Sequence, residues 1–259
     1  MPKANTTVPG EAVWYDAFYE KIQKGTPPWY KFLIPDLLQE LGPDTKLLEL
    51  GCGQGFILRF LTGNNYIKEE NLFAIDQSKT AIEFVAKHLP KANLEARDIY
   101  QIAYPPAFFD IALLMETIEH LADPVPALQK ISATIKPNGL LYLSFPNYLH
   151  LPWLLVRILA EKLNKPNWIV LQPIDKIYSV FGVVKLLKQA GFRLERGIGS
   201  LYWPPIIYPF EPDKMTEIFN ALNLYRFSFH PILKFRKSGV SGDPSRGPIL
   251  HRAGFHNRP

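Results

Sequence analysis

Leu-Leu-Glu-Leu-Gly-Cys-Gly-Gln-Gly, residues 47–55, is the stretch that decides the fold. Its first half is a short apolar run typical of a buried strand, and its second half has glycine at alternate positions, from Gly51 to Gly55. Alternating glycines permit backbone angles and a close ligand approach that side chains would forbid. The stretch therefore predicts a strand that turns into a helix through a loop able to hold a ligand against bare backbone.

Short apolar runs alternate with helix-period segments over residues 45–146. This alternation predicts an α/β fold, with a doubly wound, mostly parallel sheet and helices on both faces. Ser78 and Asp123 are the expected N-caps of two helices, the second of which should reach Asn138 and Gly139 with Ile135 on its buried stripe. The predicted strands span residues 46–50, 71–76, 93–97, 109–115 and 140–145.

The second half of the chain interrupts this alternation and then resumes it. An apolar segment flanked by prolines, residues 149–163, predicts an inserted helix. A helix over 180–190 should end at Gly191 and be followed by a strand. A helix over 213–222 should then precede an edge strand within 225–235.

The length and composition of the chain limit how many domains it can form. The 259 residues, 47% of them hydrophobic, can bury one substantial core. We expect an aromatic-rich helical cap over residues 1–44, a main domain over 45–237 with an insertion near 147–175, and a disordered basic tail over 238–259. The single cysteine, Cys52, excludes an intrachain disulfide and a multi-cysteine metal site.

Excess positive charge lies at the end of the chain. The formal net charge is +5, but six of the 29 basic residues and one of the 24 acidic residues follow Leu233, so the rest is neutral. The basic balance therefore does not indicate a nucleic-acid partner. No uninterrupted apolar run of about 18 residues and no apolar leader is present, which predicts a cytoplasmic protein.

Two residues in the opening region discriminate between nucleotide ligands. The dinucleotide fingerprint G-x-G-x-x-G would need glycine at the position of Phe56. Glu49, at the end of the first predicted strand, would repel a pyrophosphate but suits a cationic sulfonium or amino group. Together they favour S-adenosylmethionine over a nicotinamide dinucleotide.

Other strand ends extend the predicted site. Asp76 lies about 21 residues beyond Gly55, the separation at which a carboxylate can accept hydrogen bonds from both ribose hydroxyls. Asp98 follows the third strand and offers a carboxylate to the exocyclic amine of adenine, beside the apolar Ile99. Because the ligand crevice of such a sheet lies at the carboxyl ends of its strands, these residues and Met115 should converge on one edge.

Six short segments carry a family resemblance. They are Leu-Glu-Leu-Gly-Cys-Gly-Gln-Gly at 48–55, Ala-Ile-Asp at 74–76, Arg-Asp-Ile at 97–99, Met-Glu-Thr-Ile-Glu-His-Leu at 115–121, Lys-Pro-Asn-Gly at 136–139 and Gln-Ala-Gly-Phe at 189–192. Over about residues 45–195 the chain resembles the class I S-adenosylmethionine-dependent methyltransferases, in the type 11 group that includes the ubiquinone-biosynthesis O-methyltransferases. The resemblance implies a seven-stranded Rossmann-like methyltransferase fold. The cofactor contacts expected from it are Glu49, Gly51, Gly53, Gly55, Asp76, Gln77, Asp98, Ile99 and Met115.

The residues after the fourth strand are the candidates for catalysis. Methyl transfer is a direct displacement, so alignment of the reactants supplies much of the rate. If the acceptor is a hydroxyl of a small molecule, His120 or Glu116 could take its proton. The alternative is that His120 only packs against the following turn.

Glu116, Glu119 and His120 also form the pattern E-x-x-E-H. The pattern resembles the metal-binding segment of the small-RNA 3′-terminal 2′-O-methyltransferases, which makes a metal-assisted RNA methyltransferase an alternative function. In those enzymes a further histidine follows the fifth strand, whereas this chain has Asp175 in the comparable region. Because of this departure we expect no bound metal. A non-catalytic scaffold that only binds the cofactor is a third hypothesis, although no cofactor motif has decayed.

Apolar segments on the expected acceptor side favour an apolar or aromatic acceptor. They are the inserted helix and the stretch Tyr-Trp-Pro-Pro-Ile-Ile-Tyr at 202–208. The inserted helix also has Arg157 and Lys162 beside Trp153, a composition that suits peripheral contact with a membrane. The oligomeric state has no signal in the sequence.

Aromatic residues are dense before the first strand. Trp14, Tyr15, Phe18 and Tyr19 precede a second group at Trp29, Tyr30 and Phe32. Two interpretations remain open: a lid over a small-molecule site, or helices that pack on the sheet.

Overall fold

A computed structural model describes residues 11–21, 30–148, 150–163, 173–202 and 213–239 of the chain. The helices are α1 (Glu11–Lys21), α2 (Tyr30–Glu40), α3 (Phe56–Gly63), α4 (Lys79–His88), α5 (Pro124–Thr134), α6 (Leu151–Lys162), α7 (Val180–Gln189) and α8 (Asp213–Ala221). The strands are β1 (Leu47–Leu50), β2 (Leu72–Asp76), β3 (Asn93–Ala96), β4 (Phe109–Met115), β5 (Ile135–Ser144), β6 (Phe192–Ser200) and β7 (His230–Lys237).

All seven strands form one sheet in the order β3-β2-β1-β4-β5-β7-β6. The first five run parallel, and β7 is antiparallel to both of its neighbours. The predicted α/β class and mostly parallel sheet are therefore confirmed. Because β3, β2, β1 and β4 are neighbours, their carboxyl ends lie along one edge.

Two cores cover the two faces of the sheet. Successive residues of a strand point to opposite faces, so Leu113 and Leu114 of β4 belong to different hydrophobic clusters. Helices α5 and α7 pack on one face, and α2, α3 and α4 pack on the other. This two-sided burial explains why β1, β2 and β4 are nearly continuous apolar runs, whereas the edge strand β3 is not.

The caps that begin α4 and α5 match their sequence signals. Ser78 Oγ accepts a hydrogen bond from the Ala81 amide at 3.1 Å, and Asp123 Oδ1 accepts one from the Val125 amide at 3.1 Å. Each side chain satisfies an amide that has no partner within the helix. Both predicted N-caps are confirmed.

The start of β5 corrects one expectation. Helix α5 ends at Thr134, and Ile135 already pairs with Phe109 of β4 instead of lying on the helix. Asn138 has φ +63°, so the asparagine marks a left-handed turn inside β5 rather than the end of the helix. A β-carbon on Gly139 would lie 2.7 Å from Ile135 Cγ2, which requires glycine there.

The position of β7 corrects a second expectation. The sequence predicted an edge strand within residues 225–235, but β7 lies inside the sheet, between β5 and β6. Residues 231–235 are all buried, as an internal strand requires. The outermost strand on that side is β6.

The insertion contains α6, in agreement with the predicted helix. Trp153 stacks on Phe229 with ring centroids 4.0 Å apart, and Tyr148 and Leu201 complete this small cluster. Arg157 is 8% exposed and pairs with Asp175, so it is not the surface cation that a membrane-bound helix would use. None of the helices in the described ranges has the length and apolar character needed to cross a bilayer. Residues 240–259 of the predicted tail and residues 203–208 of the predicted acceptor-side stretch lie outside the described residues.

Candidate functional site

The glycine turn between β1 and α3 has the backbone shape that its sequence predicts. Gly51, Gly53 and Gly55 have φ values of +72°, +50° and +62°, in the left-handed region that favours glycine. Gly55 is also the N-cap of α3. The turn therefore presents bare backbone at the carboxyl end of β1.

Asp76 ties this turn to the end of β2. Its Oδ2 accepts a hydrogen bond from the Gly53 amide at 2.8 Å, and its Oδ1 accepts one from the Ser78 amide at 2.8 Å. The side chain is held in place by backbone on both sides and is 7% exposed. The structure thus brings two predicted ligand contacts into direct contact with each other.

Glu49 is a buried carboxylate beside the same turn. It is 4% exposed, and its Oε2 has no hydrogen-bond partner among the described residues. Burial, with the nearby charge of Asp76, raises the pKa of Glu49 to about 8. A cationic ligand group would provide the missing partner, so this position fits the positive charge of S-adenosylmethionine.

The other residues predicted to contact the methyl donor lie at the ends of adjacent strands. Asp98 caps a short turn after β3 by accepting a hydrogen bond from the Tyr100 amide at 2.8 Å. Ile99 begins that turn, Gln77 follows β2 and is half-buried, and Met115 is the last residue of β4. All of them occupy the edge where β1 ends.

Helix α1 lies over this edge. A β-carbon on Gly53 would lie 2.7 Å from the hydroxyl oxygen of Tyr19, and the ring of Tyr15 lies 6.3 Å from that of His120. Tyr15 and Tyr19 of the first aromatic group therefore lie over the strand ends, a placement that fits the lid interpretation. Tyr30 of the second group fits the packing interpretation instead, because α2 buries it against the sheet.

His120 is fixed through one of its ring nitrogens. Its Nδ1 lies 2.6 Å from the backbone carbonyl oxygen of Ile174 and donates to it, since a carbonyl can only accept. In the neutral ring this leaves the lone pair on Nε2, which lies 3.6 Å from Glu119 Oε1. The contact with Ile174 therefore fixes the orientation of the ring and its neutral tautomer.

Glu116 is held by two side chains. Ser144 donates a hydrogen bond to Glu116 Oε1 at 2.6 Å, and His230 Nδ1 lies 3.2 Å from Oε2. Although burial opposes ionisation, His230, Ser144 and His120 together hold the pKa of Glu116 below its usual value. The backbone here has φ +50°, an unusual angle for glutamate. Sequence reasoning missed His230, because only the placement of β7 brings it beside β4 and β5.

The E-x-x-E-H residues are engaged with one another and with the fold. Glu119 is 1% exposed, and burial together with the charge of Glu116 raises the pKa of Glu119 well above its usual value. Asp175, which stands in the region of the further histidine, accepts a hydrogen bond from Arg157 at 2.9 Å. Within the part of the chain that the structure describes, no three histidine, cysteine, aspartate or glutamate side chains are grouped to hold a metal ion.

Comparison with known proteins identifies the class of this site. Residues 48–143 match a protein family described as a methyltransferase domain, and this range contains the glycine turn, Asp76, Asp98 and Met115. The chain is an S-adenosylmethionine-dependent methyltransferase with the Rossmann-like fold of the class I enzymes. The methyltransferase accordingly takes S-adenosylmethionine as its methyl donor.

Curated relatives support this assignment at low identity. A ubiquinone biosynthesis O-methyltransferase from Thiobacillus denitrificans is 26% identical over 175 residues, which cover 65% of this chain and 73% of the relative. One of the same name from Vibrio vulnificus is 22% identical over 187 residues, covering 70% and 77%.

Solved structures share the fold. The methyltransferase in complex with the Haloferax volcanii Trm112 methyltransferase activator superposes with a TM-score of 0.63 at 18% identity, covering 86% of this chain and 97% of that chain. A Thermotoga maritima S-adenosylmethionine-dependent methyltransferase gives a TM-score of 0.58 at 19% identity, covering 81% and 93%. At these identities the likeness concerns the fold.

Proposed function

We propose that the methyltransferase transfers methyl to an oxygen atom of a small, apolar or aromatic acceptor. The observation that carries the proposal is the orientation of His120. Its Nδ1 donates to the Ile174 carbonyl, so Nε2 is the nitrogen that can take a proton from an acceptor hydroxyl. The O-methyltransferase names of the curated relatives support the same chemistry.

The donor would be held at the carboxyl ends of β1 to β4. Glu49 would pair with positive charge, Asp76 would accept hydrogen bonds from the ribose, and Asp98 would select adenine. The remaining proposed contacts are Gly51, Gly53, Gly55, Gln77, Ile99 and Met115. Bound S-adenosylmethionine supplies a methyl group activated by a cationic sulfur.

Glu116 is proposed to stay ionised and to support the acceptor side electrostatically. Its two oxygens already contact Ser144 and His230, which makes it a poorer base than His120. An ionised carboxylate in this buried region would stabilise the imidazolium that forms when His120 takes a proton. The apolar cluster of Tyr148, Trp153 and Phe229 supports an apolar acceptor.

The test offers labelled S-adenosylmethionine with phenolic acceptors of increasing alkyl-chain length, and with single-stranded RNA ends as a separate arm. We expect a phenol to be methylated, with turnover falling by about 10²- to 10⁴-fold in His120→Gln. Donor affinity, measured by calorimetry, should be unchanged in that variant and lost in Asp76→Ala. Methylation of RNA ends alone, or wild-type turnover in His120→Gln, would contradict the proposal.

A further inference from the structure

Tyr19 of α1 lies against the glycine turn, where the methyl donor is proposed to bind. Its hydroxyl and ring atoms occupy the space beside Gly53, 2.7 to 3.3 Å from where a β-carbon would be. Burial raises the pKa of Tyr19, and the nearby Asp76, Cys52 and Glu49 raise it further. The side chain is therefore a neutral phenol that can donate one hydrogen bond at the glycine turn.

Asp16 fastens the same helix to the end of β2. Its Oδ1 accepts hydrogen bonds from Ser78 Oγ at 2.6 Å and from the Thr80 amide at 3.0 Å. Ser78 is fully buried, and its own amide donates to Asp76 Oδ1. A continuous series of hydrogen bonds thus runs from α1 through Ser78 to the proposed ribose contact.

The spacing on α1 explains how one helix serves both halves of the site. Tyr15 and Tyr19 are four residues apart, so they share one face. Tyr15 contacts the ring of His120 at one end of that face, and Tyr19 lies on Gly53 at the other. Asp16, next to Tyr15, sets the position of both.

We infer that Tyr19 contacts the bound methyl donor through its hydroxyl, and that Asp16 is the positioning residue that holds α1 across the site. This inference rests on the donor site proposed above. A phenol hydroxyl suits the carboxylate or the ribose hydroxyls of the donor, each of which can accept its hydrogen bond. Sequence patterning could not assign either role, because Tyr19 lies 34 positions before Gly53 and Asp16 lies 62 positions before Ser78.

The experiment measures binding of S-adenosylhomocysteine by calorimetry, together with hydrogen exchange in α1. Tyr19→Phe removes the hydroxyl and should weaken binding by about five- to tenfold, the loss of one hydrogen bond. Asp16→Ala removes the acceptor of both hydrogen bonds and should weaken binding through faster dissociation. Val13→Thr is the matched control on the same helix, because Val13 is 71% exposed and the change keeps its shape, so this variant should bind as the wild type does.

Hydrogen exchange distinguishes the positioning role of Asp16 from the ligand contact of Tyr19. Ligand should protect the amides of α1 in the wild type and in Tyr19→Phe, and should protect them much less in Asp16→Ala. Wild-type or tighter binding in Tyr19→Phe would overturn the contact, and equal protection and dissociation in Asp16→Ala would overturn the positioning role. Unchanged affinity in Asp76→Ala would instead overturn the proposed donor site itself, and the assignment of Tyr19 with it.

Discussion

Thr117 fills the space that a side chain on Gly51 would need. A β-carbon on Gly51 would lie 2.5 Å from Thr117 Oγ1 and 2.9 Å from its Cγ2. The Thr117 hydroxyl cannot easily move away, because it lies 3.2 Å from the Leu50 carbonyl and 2.9 Å from the Met115 carbonyl. The glycine is thus required for the close contact between the ends of β1 and β4, as well as for its backbone angle.

Gly51→Ala is therefore expected to be strongly destabilising. The left-handed angle and the contact with Thr117 should together cost about 2–4 kcal/mol in the free energy of unfolding, measured by urea titration. Gly63→Ala is the matched control, because a β-carbon there meets no atom within 4 Å. The control should differ from the wild type by less than about 1 kcal/mol. Equal stability of the two variants would contradict this account.

The raised pKa of Glu49 should make donor binding depend on pH. In the donor-free protein this pKa is about 8, so the side chain is protonated at neutral pH and must ionise to pair with a cation. Donor affinity should therefore rise with pH, by at most about tenfold per pH unit, and level off above about pH 8. Calorimetry in buffers of different protonation enthalpy should detect proton release. In Glu49→Gln the affinity for the donor should no longer rise with pH in this way. If the affinity rises with pH as steeply as in the wild type, ionisation of Glu49 is not the cause.

The raised pKa of Glu49 also predicts how the free energy of unfolding changes with pH. In the unfolded chain Glu49 ionises near 4.5, whereas in the folded protein it ionises near 8. Between these values the folded state binds the extra proton, so the contribution of Glu49 is fully present below about pH 4.5 and is lost as pH rises to about 8. Glu49→Gln should become increasingly more stable than the wild type over this window, by on the order of a few kcal/mol in urea titrations. A stability difference that is constant with pH would contradict the burial of this carboxylate.

The convergence of the proposed donor contacts on one edge of the sheet could be predicted because each contact is local to one strand. Asp76 and Met115 end short apolar strands and Glu49 is the last residue but one of its strand, and parallel strands bring such ends to one edge. The acceptor half depends on long-range placement. His230 reaches Glu116 only because β7 enters the sheet between β5 and β6, which hydrophobic periodicity does not specify. The sequence predicts that Asn138 and Gly139 end a helix, whereas Asn138 forms a left-handed turn within β5.

Ser144→Ala tests the hydrogen bond that keeps Glu116 ionised. Removing the Ser144 hydroxyl deprives a partly buried carboxylate, 27% exposed, of one partner and should cost about 1–2 kcal/mol at pH 7. Ser200→Ala is the control: it is equally buried but donates to a neutral carbonyl, that of His230, so its loss should be smaller. Because the pKa of Glu116 is lowered, its contribution is present above about 4.5 and is lost as pH falls through the folded value. The excess cost of Ser144→Ala should therefore shrink in acid, and an excess that grows there would contradict the assignment.

Asp36 of α2 lies in a cluster of charged and polar side chains contributed by β5, β6 and β7. It accepts hydrogen bonds from Tyr142 and Arg196, each at 2.7 Å, and lies 3.0 Å from Lys234 Nζ, while 4% exposed. These partners hold the pKa of Asp36 below its usual value despite its burial. Glu40 Oε1 lies 2.5 Å from Lys234 Nζ and stays its partner in Asp36→Asn, so the loss of the Asp36 charge should cost about 1–3 kcal/mol in the free energy of unfolding.

The control for Asp36→Asn is an exposed ion pair of the same type. Asp44 lies 3.3 Å from Lys68 Nζ, and both side chains are largely exposed, so Asp44→Asn should change stability by less than about 1 kcal/mol. Urea titrations at low and high salt extend the comparison, because screening weakens exposed pairs more than buried ones. The cost of Asp36→Asn should persist in high salt, since Lys234 is only 11% exposed there. If the cost falls to that of Asp44→Asn, the cluster is solvated and α2 is held by its apolar contacts alone.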